Sequence, residues 1–266
     1  MDTFSGEAKT MKRIIVANWK LNPSSPREAQ ELWNRVKRVA SALKRTETVI
    51  CPPVIFLGLL GKSYKASASF ALGAQDAFWA LEGPWTGQIG PGMVRRAGGQ
   101  YLLLGHSEKR VLGDSDQIIN QKLKLALAQD LRVILCVGER ERDNHGEYLK
   151  VIREQIISAL EKVPKKFSKQ IIIAYEPVWA IGEQAKNSDT PHSFLETAIF
   201  IRKVLSHWCG HASALAVPVL YGGSVDVKNA SSFLSEGGAD GLLVGRASLR
   251  ADHFTQILKI ADALPR

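Results

Sequence analysis

The sequence has few cysteines, no long apolar run and no linker rich in proline or serine, and each absence narrows what the chain can be. Its three cysteines, Cys51, Cys136 and Cys209, cannot all pair. With no export signal they read as reduced, buried thiols of a cytoplasmic protein. No apolar run approaches the roughly 20 residues that a membrane-spanning helix needs. The first ten residues, MDTFSGEAKT, lack the apolar segment of a secretory signal, and they carry Asp2 and Glu7 but no arginine, which argues against a transit peptide. A second methionine, Met11, stands directly before KRIIVANWK. Residues 1–10 are therefore expected to be a disordered extension, or the product of a start placed too early. Residues 11–266 are expected to form one domain.

What is present is ordinary in bulk: 45% hydrophobic and 23% charged residues, enough apolar content for a core of useful size. The net charge of +9 raises nucleic acid as a partner. The basic residues are spread along the chain and mixed with acids, as in EAQELWNRVKRVASALKR, so a solvated surface is the better reading. No aromatic and basic residues interleave as a single-strand binding groove would require. The field of such a surface still attracts anionic substrates.

Apolar runs recur every few tens of residues: 13–18, 48–52, 70–75, 101–105, 132–137, 171–176, 217–222 and 240–245. They are apolar nearly throughout rather than alternating, which suits strands buried on both faces. Helical patterns lie between them. PREAQELWNRVKRVASALKR puts Ala29, Leu32, Trp33, Val36 and Val39/Ala40 on one stripe. SDTPHSFLETAIFIRKVLSHW opens with cap-like Ser188 and Asp189 before Pro191. Eight strands alternating with helices predict a (β/α)₈ barrel; a doubly wound open sheet is the alternative that composition leaves open.

Some motifs lead nowhere. LLGKS (59–63) resembles the end of a nucleotide-binding loop, but Phe56 occupies the required glycine position. HWCGH (207–211) offers two histidines and a cysteine at a helix end without further ligands, so no metal site is assigned.

In a β/α barrel, functional groups sit at the C-terminal ends of the strands. After the first strand come Asn18 and Lys20; in extended chain both point one way, with Trp19 opposite. After the fourth comes GHSEKR, where His106 starts a short helical segment whose N-terminus biases the imidazole towards neutral. A capping role alone would also explain it. Glu108 and Arg110 are placed to orient neighbours. After the sixth strand stands Glu176, either a buried salt-bridge partner, for example of Lys20, or a base made more basic by desolvation beside Pro177, Val178 and Trp179. After the seventh and eighth come YGGS and VGRAS, with Gly222, Gly223, Ser224, Gly245 and Arg246. They are flexible turns taken singly; together they suggest a phosphate cradle of backbone amides. A cation, a neutral donor, a carboxylate base and a phosphate cradle suit proton abstraction beside a carbonyl in a small phosphorylated molecule.

ANWK, GHSEKR, CVGE, AYEPVWAIG, YGGSV and LLVGRASL, in this order, resemble the signatures of the triosephosphate isomerase family from about Met11 to near the C-terminus. The resemblance implies interconversion of dihydroxyacetone phosphate and glyceraldehyde 3-phosphate without a cofactor or metal. It implies Glu176 as the proton carrier, His106 as the donor to the carbonyl, and Lys20 as the stabiliser of negative charge. Asn18 would help bind substrate, Glu108 would support Lys20 and His106, and the amides of Gly182, Ser224, Gly245 and Arg246 would grip the phosphate. It also implies a homodimer through the loop at 73–91, with Thr86 at its tip, and no nucleic-acid or membrane partner.

Three departures stand out. Gln88 follows Thr86-Gly87 where the family usually has Glu, which removes a charge available to an interface. Arg246 replaces a usual glycine; it can serve through its backbone provided φ is negative, with its side chain expected in solvent. The family's lid, usually like AIGTGKTATP, reads AIGEQAKNSDTP here, about two residues longer and more polar over Glu183–Thr190. The expectation is a working enzyme with altered lid behaviour; a catalytically impaired phosphosugar-binding barrel is the alternative.

Overall fold

β1 (Arg13–Asn18) leads through α1 (Pro26–Ala40) to β2 (Thr46–Cys51), α2 (Val54–Lys62), β3 (Phe70–Ala74), α3 (Pro91–Arg96) and β4 (Tyr101–Leu104). Then come α4 (Ser107–Val111), α5 (Asp116–Ala128), β5 (Arg132–Val137), α6 (Glu147–Ala159), β6 (Ile171–Tyr175), α7 (Pro191–Cys209), α8 (His211–Ala216), β7 (Val219–Tyr221), α9 (Ala230–Ser235), β8 (Gly241–Val244) and α10 (Ala251–Ala263). The computed structural model describes residues 11–62, 64, 67–143, 145–181 and 189–265, so the expected extension at 1–10 lies outside it. Each strand pairs in parallel with the next, and Ile14–Ala17 of β1 pair with Gly241–Val244 of β8, closing the barrel. The open-sheet alternative is thereby excluded.

The near-continuous apolar strands follow from two separate cores. Ile14 and Val16 join Val49, Leu103, Ile134, Ile172 and Leu243 in a cluster made only of strand residues, the filled barrel interior. Ile15 and Ala17 point the other way, into the layer shared with Trp33, Leu123, Ile156 and Phe254 of the helices. The α1 stripe buries Ala29, Trp33, Val36 and Ala40, and Trp33 packs against Phe70 at 4.7 Å between ring centroids. Burying each large apolar side chain contributes roughly 1.5–3 kcal/mol.

Several boundaries differ from the expected ones. β7 begins at Val219 rather than 217, because Pro218 has no N–H to give a ladder. β4, β6 and β8 each stop one residue before the expected end, which leaves Gly105, Glu176 and Gly245 just beyond the ladder, at the mouth. The N-cap of α7 is Thr190, whose hydroxyl accepts from the Ser193 N–H at 3.2 Å, and not Asp189. Pro191 at the first helical position fixes the cap immediately before it; Ser188 lies outside the described residues. The LLGK part of the nucleotide-like motif is the end of helix α2, not a phosphate loop.

Candidate active site

The turn after β1 does not stay extended. Lys20 has φ of +53°, a left-handed conformation rare for a side chain of its size. The expected extended geometry is thus corrected. Trp19 is buried, and Lys20 reaches the mouth because the chain coils back, with its N–H donating to Asn18 Oδ1 at 3.1 Å. Gln75, just after β3, donates to the Lys20 and Cys51 carbonyls, both at 2.9 Å, and holds this turn in place. The pattern reading placed Gln75 in a strand without giving it a role; its position at a strand end was the available signal.

Lys20 Nζ meets Glu108 Oε1 at 2.6 Å, so its ion-pair partner is Glu108 rather than the suggested Glu176. Both groups are partly exposed, 35% and 55%, and such a pair adds little stability. Its effect is orientation.

Gly105, with φ of +73°, turns the chain after β4 so that His106 caps α4. Its Nδ1 accepts from the Glu108 N–H at 3.2 Å. A ring nitrogen that accepts a hydrogen bond carries no proton, so the imidazole is the neutral tautomer with its hydrogen on Nε2. Nε2 lies 3.3 Å from Glu176 Oε1. Capping and function are therefore one arrangement here, not competing ones. Arg110 braces the turn through Gly105 O at 2.8 Å and Asp116 at 2.6 Å.

Glu176 is 2% exposed. Its Oε2 accepts from the Ser107 N–H at 3.0 Å, and its own N–H donates to Val137 O at 2.8 Å. Gly138 makes this placement possible, since a Cβ there would overlap the Glu176 carbonyl oxygen. That is the physical content of the CVGE motif. Behind Glu176 lies Cys136, buried, its thiol pushed well up by desolvation and then by the adjacent carboxylate, so it stays a neutral donor to Glu176.

Beside the base, Glu139 accepts from the Tyr175 hydroxyl at 2.8 Å and the Trp179 indole at 2.7 Å, while its other oxygen is buried without a partner. Asp189, also buried, accepts from the Thr190 N–H at 2.9 Å and the Ser193 hydroxyl at 2.5 Å. Burial raises the pKa of both acids above the usual carboxylate range. Neither acid was singled out for the site from sequence, because what they face is set by tertiary packing.

A cavity of about 490 Å³ collects Asn18, Lys20, His106 and Glu176 with Ser224, Gly245 and Arg246. Glu108 lines an adjoining cavity of about 320 Å³ that also touches Asn18, Lys20 and His106. Arg246 begins a 3₁₀ turn, Arg246–Leu249, and is not among the residues of positive φ, which meets the condition set for it. Gly182, the remaining expected phosphate contact, and Glu183–Ser188 lie outside the described residues. Among the described residues no group of three or more His, Cys, Asp or Glu is arranged to hold a metal ion.

A neutral N–H donor, a carboxylate and a cation thus converge on a cavity whose other wall is two glycine-containing turns. Comparison with known proteins agrees with that chemistry. The family model for triosephosphate isomerase matches residues 13–261. A triosephosphate isomerase of Dehalococcoides mccartyi is 40% identical over 258 residues, covering 96% of this chain and 98% of the relative. That of Natranaerobius thermophilus is 35% identical over 256 residues, 96% and 98% of the two chains, and that of Dictyoglomus thermophilum 38% over 252 residues, 93% and 99%. The chain belongs to the triosephosphate isomerase family.

Proposed function

We propose that this protein interconverts dihydroxyacetone phosphate and glyceraldehyde 3-phosphate with Glu176 as the carrier of the proton. The observation that carries the assignment is the 3.3 Å approach of Glu176 Oε1 to His106 Nε2, on one cavity with Lys20 and the two glycine turns. In the forward direction Glu176 removes a proton from C1 of dihydroxyacetone phosphate, and the electron pair moves to the C2 carbonyl oxygen to form an enediolate. The Nε2–H of His106 donates to that oxygen, and Lys20 offsets its charge. His106 carries the proton of the C1 hydroxyl to the C2 oxygen, and Glu176 then returns its proton to C2 as the C1 oxygen becomes the aldehyde carbonyl. Asn18 and Glu108 hold Lys20 and His106 in register, through the bonds given above. The amides of Ser224, Gly245 and Arg246 face the phosphate, with Gly182 proposed beside them. The retention of every reacting group favours this reading over an impaired phosphosugar-binding barrel.

Residues 11–266 act as one domain in this reading, supported by Arg13 of β1 donating to Ala261 O and Leu264 O at the far end of the chain. A cytoplasmic location is supported by three buried, unpaired cysteines. Among the described residues no helix is long and apolar enough to cross a membrane. A homodimer is supported by the exposed loop around Thr86, where Trp85 is 47% exposed, and by Leu112 at 78% on the same side as Gly87 and Gln88.

The test is a coupled assay with glyceraldehyde 3-phosphate on wild type and Glu176→Gln. Removing the base should lower kcat on the order of 10³-fold or more. Equal activity in the two proteins would refute the assignment.

A further inference from the structure

We infer that Lys109 and Asp76 form a positioning pair that fixes the helix carrying Glu108 against the turn carrying Lys20. The inference rests on the reading that Lys20 and Glu108 serve the proton transfer.

Helix α4 has nothing apolar to hold it. At five residues it is too short to be stable alone, and none of its side chains is buried. Its one apolar residue, Val111, is 69% exposed. Yet it carries Glu108, whose carboxylate stands 2.6 Å from Lys20 Nζ in a pair too exposed to fix its own geometry. Polar anchors must therefore place the helix. Arg110 provides one, through Gly105 O and Asp116. Lys109 provides the other: its Nζ lies 2.9 Å from Asp76 Oδ2.

Asp76 is a fixed point rather than a loose surface charge. Lys122 of α5 donates to its two oxygens at 2.9 and 3.0 Å, and to Asp114 Oδ2 at 2.6 Å. The Lys122 side chain is 3% exposed and that of Asp114 10%, so solvent screens this part of the network little. Two acids and two lysines balance in charge, as burial of ionised groups requires. At the outer end, partial burial works against the Lys109 charge. The bond to Asp76 and the charges of Asp76 and Asp114 more than offset it and hold the pKa above that of an ordinary lysine.

Asp76 directly follows Gln75, which holds the Lys20 turn through two carbonyls. Positions 75 and 76 thus grip both halves of the Lys20–Glu108 contact, one through the backbone of Lys20 and the other through Lys109, the neighbour of Glu108. Asp76 and Lys109 line the 320 Å³ cavity together with Lys20, His106 and Glu108. A displacement of about 1 Å at such a contact is enough to slow a reaction markedly.

The experiment measures kcat and KM for glyceraldehyde 3-phosphate in Lys109→Met, Lys109→Arg and Lys109→Met/Glu108→Gln, against wild type and Glu108→Gln. Lys109→Met keeps the alkyl stem and leaves Lys122 paired with both acids, so the fold stays supported. Its kcat should fall about tenfold, with KM within about twofold of wild type. Lys109→Arg, which keeps a charge within reach of Asp76, should recover most of the loss. In the Glu108→Gln background the change to Met should cost at most about twofold, because the contact it aligns is already lost. An unchanged kcat in Lys109→Met would overturn the inference and leave the proton-transfer reading standing. A tenfold cost in both backgrounds, or a loss of kcat accompanied by a change in sedimenting mass, would also overturn it, since Lys109 would then act on stability or assembly. Absence of isomerase activity in wild type would overturn the proton-transfer reading, and the positioning pair with it.

Discussion

Lys20 is held in a conformation that a lysine avoids when free, at a cost of roughly 1–3 kcal/mol. The structure offsets that strain with three hydrogen bonds, one to Asn18 and two from Gln75. The hydrogen bonds of Gln75 go to backbone only, so it acts on the reaction through the position of Lys20. Gln75→Met keeps the volume and removes both donors, worth about 1–3 kcal/mol together. The expected outcome is a fall in kcat of about tenfold with an unchanged circular dichroism spectrum; an unchanged kcat would separate Gln75 from the site. The same turn shows what sequence can carry at this scale. Strand-end positions identify Asn18, Lys20, His106 and Glu176, because a barrel delivers its strand ends to one face. They do not reveal how a side chain arrives there. Lys20 reaches the mouth by a backbone reversal, and its pairing with Glu108 depends on a contact 88 positions away along the chain.

At the scale of elements, one buried acid braces the end of β6 and another the start of α7. Glu139 ties Trp179 and Tyr175 together, and Asp189 anchors Ser193 in the first turn of α7. Arg142 donates to the Tyr148 hydroxyl at 2.9 Å and lowers the raised pKa of both acids in part. Since burial raises the Asp189 pKa in the folded state above its ordinary 3.8, its contribution to stability is full below that value and is lost as pH rises through the raised one. Asp189→Asn keeps the Oδ1 acceptor and removes the charge. Its Tm should exceed that of wild type at pH 8, and the gap should close as the pH is brought towards 3.8. A gap of the same size at both ends would show that Asp189 is not held against its ionised form. Long helices such as α1 and α7 are legible from their apolar stripes and a nearby capping residue. The short helices α2, α3 and α9 are not: at six to nine residues they complete too few turns for a period to register, and packing against the barrel decides them.

At the scale of the whole molecule, closure of the barrel is legible because eight apolar runs separated by helices have few ways to bury both strand faces. What surrounds the barrel is less so, because partner surfaces depend on side chains brought together from distant loops. The proposed dimer is such a case: Leu112 meets Gly87 and Gln88 only in three dimensions. Sedimentation velocity should give a dimer's mass for wild type at micromolar concentration and a monomer's for Leu112→Glu, which sets a charge into the apolar patch. A monomeric wild type would remove the dimer from the account. The central claim concerns the reaction itself, proton transfer through an enediolate rather than a hydride shift. Turnover of glyceraldehyde 3-phosphate in deuterium oxide, followed by proton NMR, tests it most directly. The account predicts dihydroxyacetone phosphate carrying solvent deuterium at C1, introduced when the proton held by Glu176 exchanges with solvent. Product formed at full rate and free of solvent deuterium would contradict it.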